Sequence, residues 1–265
     1  MRLKIFHKTL YSYDAPVPYA LQRLRLTPCS GHNQTVLSWS LDISGAREEV
    51  RFTDHFGNDT RLLSVAGEPH TIEIAARGEI EVEDTAGVTG AHSGFAPLWL
   101  FENATPLTAP GPLVAEIARA AADGGTGLER LHALSHAIRE RVAYRVGATD
   151  AGTNAEDAAA AGEGVCQDHS HIFLSAARLM GFPARYVSGY LMLDDTREQV
   201  ATHAWAEAHV AGLGWVGFDV SNGISPDGRY VRLATGRDYR DAMPVSGIRL
   251  GQAQERLEVH ITVEQ

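Results

Sequence analysis

The chain has 265 residues, 44% of them hydrophobic, enough for one large domain or two modest ones with their own cores. A formal charge of −10 and the lack of any Lys/Arg run argue against a polyanion, so no DNA or RNA partner is expected. The N-terminus, Met1-Arg2-Leu3-Lys4-Ile5-Phe6-His7-Lys8, lacks the apolar core of a signal peptide, and no span approaches the roughly 20 apolar residues of a membrane helix, so a cytoplasmic protein without membrane contact is expected.

Residues 1–85 read as antiparallel β structure, a meander or sandwich. Leu37, Trp39, Leu41 and Ile43 alternate with Val36, Ser38, Ser40 and Asp42, the period of a half-buried strand. Asp54-His55-Phe56-Gly57-Asn58-Asp59 reads as a hairpin loop whose Gly and Asn supply positive φ. From Asp84 to Pro112 the composition turns to Gly, Ala, Thr, Ser and Pro, a connector with an aromatic anchor at Pro97-Leu98-Trp99-Leu100-Phe101. We place the boundary between a β domain, 1–95, and a second domain, 96–265, in this stretch.

Helices follow. Thr126 and Glu129 form a capping box, after which Leu128, Leu131, Ser135, Ile138 and Val142 recur at helical spacing. Tyr144-Arg145-Val146 reads as a short extended piece, and Thr153 with Glu156 is expected to cap an alanine-rich helix leading to Gly162. Gly162-Glu163-Gly164-Val165-Cys166 then turns into a buried helix that stops at Gly181, with Pro183 beyond. Free N–H groups and the positive end of the dipole at that helix start favour thiolate over thiol, which makes Cys166 a candidate nucleophile. The other cysteine, Cys29, follows Thr27-Pro28 and reads as structural; a reducing compartment leaves both as thiols.

Beyond Pro183 the signal is β, with strands over 184–193, 201–210 and 215–220 and a turn at Gly212-Leu213-Gly214. If His203 pairs with Asp219 across an antiparallel hairpin, the centre falls at residue 211, beside that turn. Imidazole and carboxylate then meet on one face, and the cysteine helix need only pack against it.

Gly164-Val165-Cys166-Gln167-Asp168 with His171, the run Gly181-Phe182-Pro183-Ala184-Arg185-Tyr186, His203-Ala204-Trp205, and Gly214-Trp215-Val216-Gly217-Phe218-Asp219 with Asn222 together resemble the transglutaminase-like superfamily. The resemblance is to its bacterial branch with an N-terminal β region, for which the D-x-F-G-N run at Asp54 is typical. It implies an α+β fold, with an N-terminal antiparallel β domain followed by a papain-like core. In that core the nucleophile sits at a helix N-terminus packed on an antiparallel sheet. It also implies Cys166 as nucleophile, His203 as base and Asp219 as orienter; Val220-Ser221 departs from the proline and threonine usual after the aspartate.

The activity implied is acyl transfer on an amide through a thioester, as a peptidase or amidase or as a transglutaminase. The partners are a peptide or protein substrate and, for transfer, an acceptor primary amine. The N–H of Cys166 is the first oxyanion donor and Tyr144 the second. Gln167, Asp168 and His171 are expected to support the nucleophile loop, and Trp205 and Trp215 to form core and groove walls. Two other readings stand beside this one. Cys166, His169 and His171, or His203, Glu207 and His209, suggest a zinc-dependent hydrolase, although no H-E-x-x-H is present. The same fold without catalysis would be a binding module. Asp194-Asp195 is too little to resemble the calcium loops of animal transglutaminases, so no metal and no cofactor is expected.

Overall fold

The computed structural model describes residues 1–65, 67–194 and 196–265. The early alternation becomes β1 (Arg2–Tyr13), β2 (Tyr19–Thr27), β3 (Gln34–Ser44), β4 (Ala46–Thr53), β5 (Asp59–Val65) and β6 (Thr71–Val82). Trp39, Leu41 and Ile43 are half-buried as their spacing predicts, but a bulge against β6 between Val36 and Ser38 turns Leu37 outward. In the β4–β5 loop Gly57 alone takes positive φ, at +89°; Asn58 uses its amide instead, as described below.

The connector contributes β7 (Val88–Gly90) and two short 3-10 turns, Leu98–Glu102 and Pro106–Thr108. Phe101 is its buried anchor, whereas Trp99 points to solvent. Then come α1 (Pro112–Ala122), α2 (Gly127–Arg141), β8 (Ala143–Tyr144), α3 (Ala155–Ala161), β9 (Glu163–Gly164) and α4 (Cys166–Leu179). The capping box on α2 forms: Thr126 Oγ1 accepts from the Glu129 N–H at 3.3 Å, and Glu129 accepts from the Thr126 N–H at 2.6 Å.

On α3 the expected cap is one residue off. Asn154 accepts from the Asp157 N–H at 2.9 Å, while Thr153 closes the turn at Asp150. This registration buries Ala155 and Ala158 and frees Glu156, whose carboxylate caps α1 by accepting from the N–H groups of Leu113 and Val114. Gly181 ends α4 in the left-handed region, φ +83°.

The remainder is β10 (Ala184–Leu191), β11 (Glu198–Gln199), β12 (His203–Val210), β13 (Gly214–Phe218), β14 (Tyr230–Gly236), α5 (Tyr239–Ala242), β15 (Val245–Leu250) and β16 (Glu255–Glu264). The central sheet, ordered β14-β10-β12-β13-β7, is antiparallel, and its apolar face packs on α4 through Ala204, Ala206 and Ala208. Small side chains there let the helix approach closely, which is why α4 is buried from Asp168 to Arg178.

Two further antiparallel sheets, β11-β16-β1-β6-β3 and β15-β2-β5-β4, enclose a second core. The chain's last strands, β15 and β16, add to these sheets, while β7 from before residue 95 joins the central one. A cut at residue 95 therefore does not separate the sheets. Tyr190, Val231 and Leu233 of the central sheet also enter the second core. No helix among the described residues is long and apolar enough to cross a membrane.

Candidate active site

Cys166 is the first residue of α4, preceded by extended Val165. Its N–H is one of the orphan donors of a helix start. The turn is fixed by Asp168, whose Oδ2 accepts from the Val165 N–H at 2.8 Å and from Thr149 Oγ1 at 2.6 Å. Gly164 is needed there, because a Cβ would stand 2.8 Å from the Asp168 side chain. Asp168 thus braces the turn before Cys166; burial raises its pKa despite the donors.

His203 opens β12 and Asp219 follows β13. Their ladder pairs Ala206 with Phe218, which centres the hairpin on residue 212, one residue beyond the expected centre. The ladder stops at that pair, so Asp219 is not directly opposite His203. It enters a turn closed by its bridge to Ile224, and from there its carboxylate reaches the imidazole, His203 Nε2 to Asp219 Oδ2, at 2.6 Å. With Nε2 so engaged, Nδ1 is the ring nitrogen not taken up by Asp219, and Cys166 lines the same cleft as His203.

Burial alone would lower the pKa of His203. The hydrogen bond to Asp219, the contact with Cys166 and the charges of both outweigh it and raise His203 to about 10. Burial would likewise raise Asp219, but His203, Asn222 and Tyr230 donate to it and hold it below the usual carboxylate range. The favoured state pairs an imidazolium with the Asp219 carboxylate.

These groups open on a cleft of about 800 Å³. Tyr144, Cys166, Gln167, His203, Ser221 and Asn222 line one part of it, and Val146, Leu191, Leu193 and Val200 make much of the remainder apolar. Glu198, Gln199 and Val200 reach the cleft from a strand paired with β16, so the rim is tied to the second core. Tyr144 is half exposed at the mouth.

The expectation that Trp205 and Trp215 form groove walls needs correction, since neither lines the cleft. Trp215 is buried against Phe101 and beneath the Arg185 guanidinium, 4.2 Å from its ring, and its Nε1 donates to His92. Trp205 is buried below His203, the rings near-parallel with centroids 6.3 Å apart, and it covers the imidazole from the sheet side. Alternation and register explain both placements: Trp205 falls between Ala204 and Ala206, which pack on α4, and Trp215 pairs with His209 and so shares the face of Trp205.

His171 also lies outside the cleft. Its Nε2 accepts from the Tyr239 N–H at 3.2 Å, bracing the start of α5. His169 donates from Nε2 to the Val142 carbonyl at 2.9 Å and accepts at Nδ1 from Ser221 Oγ at 2.8 Å. Glu207 is fully buried between Arg185 and Arg232. The zinc reading therefore lacks convergent ligands: the rings beside Cys166 are committed elsewhere, and among the described residues no group of three His, Cys, Asp or Glu is arranged to hold a metal. Of the pair considered for calcium, Asp194 lies near Arg229 and Asp195 is outside the described residues.

Sequence reasoning missed two groups. Tyr230 Oη donates to Asp219 Oδ2 at 2.7 Å, and Asn222 donates through Nδ2 at 2.7 Å to the same oxygen and through its backbone N–H at 3.2 Å to Oδ1. Asn222 stood among the motif residues without a role. Tyr230 carried no signal, because it sits in β14, which is separated from β13 by β10 and β12 in the sheet.

Residues 3–81 match the Bacterial transglutaminase-like N-terminal region and residues 113–220 match the Transglutaminase-like superfamily. An uncharacterized protein of Mycobacterium leprae is 28% identical, over 99% of this chain and 98% of its own length. One from Mycobacterium tuberculosis is 30% identical, over 93% of this chain and 87% of its own. The crystal structure of a candidate cysteine protease from Cytophaga hutchinsonii superposes with a TM-score of 0.80 at 22% identity, covering all of this chain and 90% of that one, and so has the same fold.

Proposed function

Because the chain belongs to the transglutaminase-like superfamily, in the bacterial branch with an N-terminal β region, we propose that it is a cysteine-dependent acyl-transfer enzyme acting on amide bonds. The observation that carries this reading is the 2.6 Å contact between His203 and Asp219 beside a thiol at a helix start on an open cleft. The substrate class is a peptide, isopeptide or glutamine side chain.

The Cys166 thiolate attacks the carbonyl carbon, and the oxygen gains the negative charge of the tetrahedral intermediate. The N–H of Cys166 donates to that oxygen, with Tyr144 at the mouth as a second donor. The C–N bond then breaks as the His203 imidazolium gives its proton to the leaving nitrogen, which departs as amine or ammonia and leaves a thioester. Next, His203 takes a proton from water or from a primary amine, which attacks the thioester. The products are a carboxylic acid or a new amide, and the thiolate is regenerated. Asp219 stays ionised throughout, holding the imidazole's orientation and offsetting its charge.

Mass spectrometry of glutamine- and isopeptide-containing peptides incubated with the enzyme, with and without a primary amine, tests the reading. A mass gain of 1 Da at glutamine or a cleaved isopeptide marks hydrolysis, and an amine adduct marks transfer. Unchanged peptides across a broad library would count against amide chemistry.

A further inference from the structure

Asp219 is fully buried, and its Oδ2 accepts three hydrogen bonds: from His203 Nε2 at 2.6 Å, Asn222 Nδ2 at 2.7 Å and Tyr230 Oη at 2.7 Å. Two of these donors belong to the proposed catalytic hairpin and its following turn. Tyr230 does not, since it opens β14 at the far edge of the sheet and pairs with Leu191 of β10. Its ring is held edge-on to Trp205, centroids 5.5 Å apart, and lies 6.0 Å from the His203 ring. Packing at this place needs only an aromatic ring; the hydroxyl is needed by the carboxylate.

We propose that Tyr230 is a positioning residue: its hydroxyl locks Asp219 Oδ2 in line with His203 Nε2 and so keeps the imidazole aimed at Cys166. This rests on the reading of Cys166, His203 and Asp219 given above. A phenol beside a buried carboxylate can only donate, and burial together with the Asp219 charge pushes the Tyr230 pKa well above its ordinary value. Without the hydroxyl, one lone pair of a buried anion loses its donor and faces an apolar ring edge. The side chain then gains by turning toward another donor, and that turn breaks the alignment with Nε2. The titratable groups around the pair are Cys166 and His169 on α4, Tyr144 on β8, Tyr230 on β14 and, facing Tyr230, Asp227 in the loop before it.

The test needs no substrate. The rate at which iodoacetamide alkylates Cys166 is measured from pH 5 to 10 in wild type, Tyr230→Phe, His203→Ala and the double variant, with melting temperatures alongside. Tyr230→Phe keeps the ring and its packing, so a folded protein is expected. The proposal predicts alkylation about 10-fold slower at pH 7, with the profile moved toward that of a free thiol, and no further loss when Tyr230→Phe is added to His203→Ala. A wild-type profile in Tyr230→Phe, or equal slowing in both backgrounds, overturns the role of Tyr230 and leaves the Cys166–His203 pair standing. A wild-type profile in His203→Ala overturns the pair itself, and the role of Tyr230 falls with it.

Discussion

Cys166 and Cys29 carry the same thiol in opposite settings. Cys166 has an imidazolium beside it and a helix start beneath it, whereas the polar neighbour of the Cys29 thiol is the Gly57 carbonyl at 3.7 Å. Local desolvation, with the Asp59 carboxylate adding to it, holds the Cys29 pKa above its ordinary value even though a backbone hydrogen bond works the other way. At neutral pH iodoacetamide is expected to label Cys166 first, as read by peptide mapping; equal or faster labelling of Cys29 would contradict the assignment. Asp219 gives a graded series. Asp219→Asn keeps a polar group beside Nε2 but removes the anion, so turnover falls by about 100-fold or more; Asp219→Ala falls further, and Cys166→Ala reaches background. Full turnover in a folded Asp219→Ala protein would leave a Cys/His dyad. At this scale the candidate triad could be read because the chain has only two cysteines and one, Cys166, opens a predicted helix with His203 and Asp219 following in order. Tyr230 was not, since a donor delivered by a distant strand leaves no mark of spacing, and the tryptophans misled because an aromatic beside a catalytic residue reads alike whichever face of the strand it occupies.

The elements around the site depend on two close fits. The Asp168 carboxylate holds the Val165 N–H and Thr149, so Asp168→Ala should cost about 1–2 kcal/mol in denaturant unfolding and slow alkylation of Cys166 as the helix start loosens. An unchanged midpoint and alkylation rate would remove Asp168 from the support of the nucleophile. Gly189, paired with His203 across β10 and β12, has no room for a methyl: a Cβ would overlap the Val231 carbonyl and the Trp205 ring. Gly189→Ala must displace Trp205 from beneath His203, and it should lower both stability and turnover. Elements were legible wherever local chemistry decides them, as with the Thr126–Glu129 box on α2 and the Gly181 stop after α4. They were misread by one residue where a tertiary contact decides, because Glu156 is recruited to α1 and the hairpin centre moves to Gly212.

The fold as a whole is held across the central sheet's outer edge. β14 would expose an unpaired strand edge, but Asn58 exchanges hydrogen bonds with the backbone of Thr235, both at 2.8 Å, and Gln34 does the same with Arg232, both at 2.9 Å. Two side-chain amides from the N-terminal β region thus act as a partner strand, a use of the D-x-F-G-N run that periodicity does not reveal. Asn58→Ala leaves two buried backbone groups unpaired and should destabilise by about 2–4 kcal/mol, with an unaltered melting temperature as the contrary result. Stability should also depend on pH. Burial lowers His7 to about 4 and, with the Arg178 and Arg240 charges adding to it, His171 to about 3, from an unfolded value of 6.5. Below pH 6.5 the unfolded chain binds protons that the folded one refuses, so the contribution of these rings is complete above that pH. It declines by up to about 1.4 kcal/mol per pH unit for each as acid is added. His203, raised to about 10, has the opposite sign: its contribution is complete below pH 6.5 and is lost progressively as pH rises from there to about 10. Calorimetry should therefore show stability greatest near pH 6.5 and falling on both sides, in acid as His7 and His171 are forced to take protons and toward pH 10 as His203 gives its proton up; a flat melting temperature down to pH 4.5 would contradict the buried neutral rings. The central claim, a thioester on Cys166, is tested most directly by acid-quenching the enzyme with a turned-over peptide amide and measuring its intact mass. The account predicts an added acyl group that hydroxylamine removes, that maps to Cys166 and that is absent from Cys166→Ala. An adduct that persists in Cys166→Ala, or turnover by that variant at the wild-type rate, would contradict it.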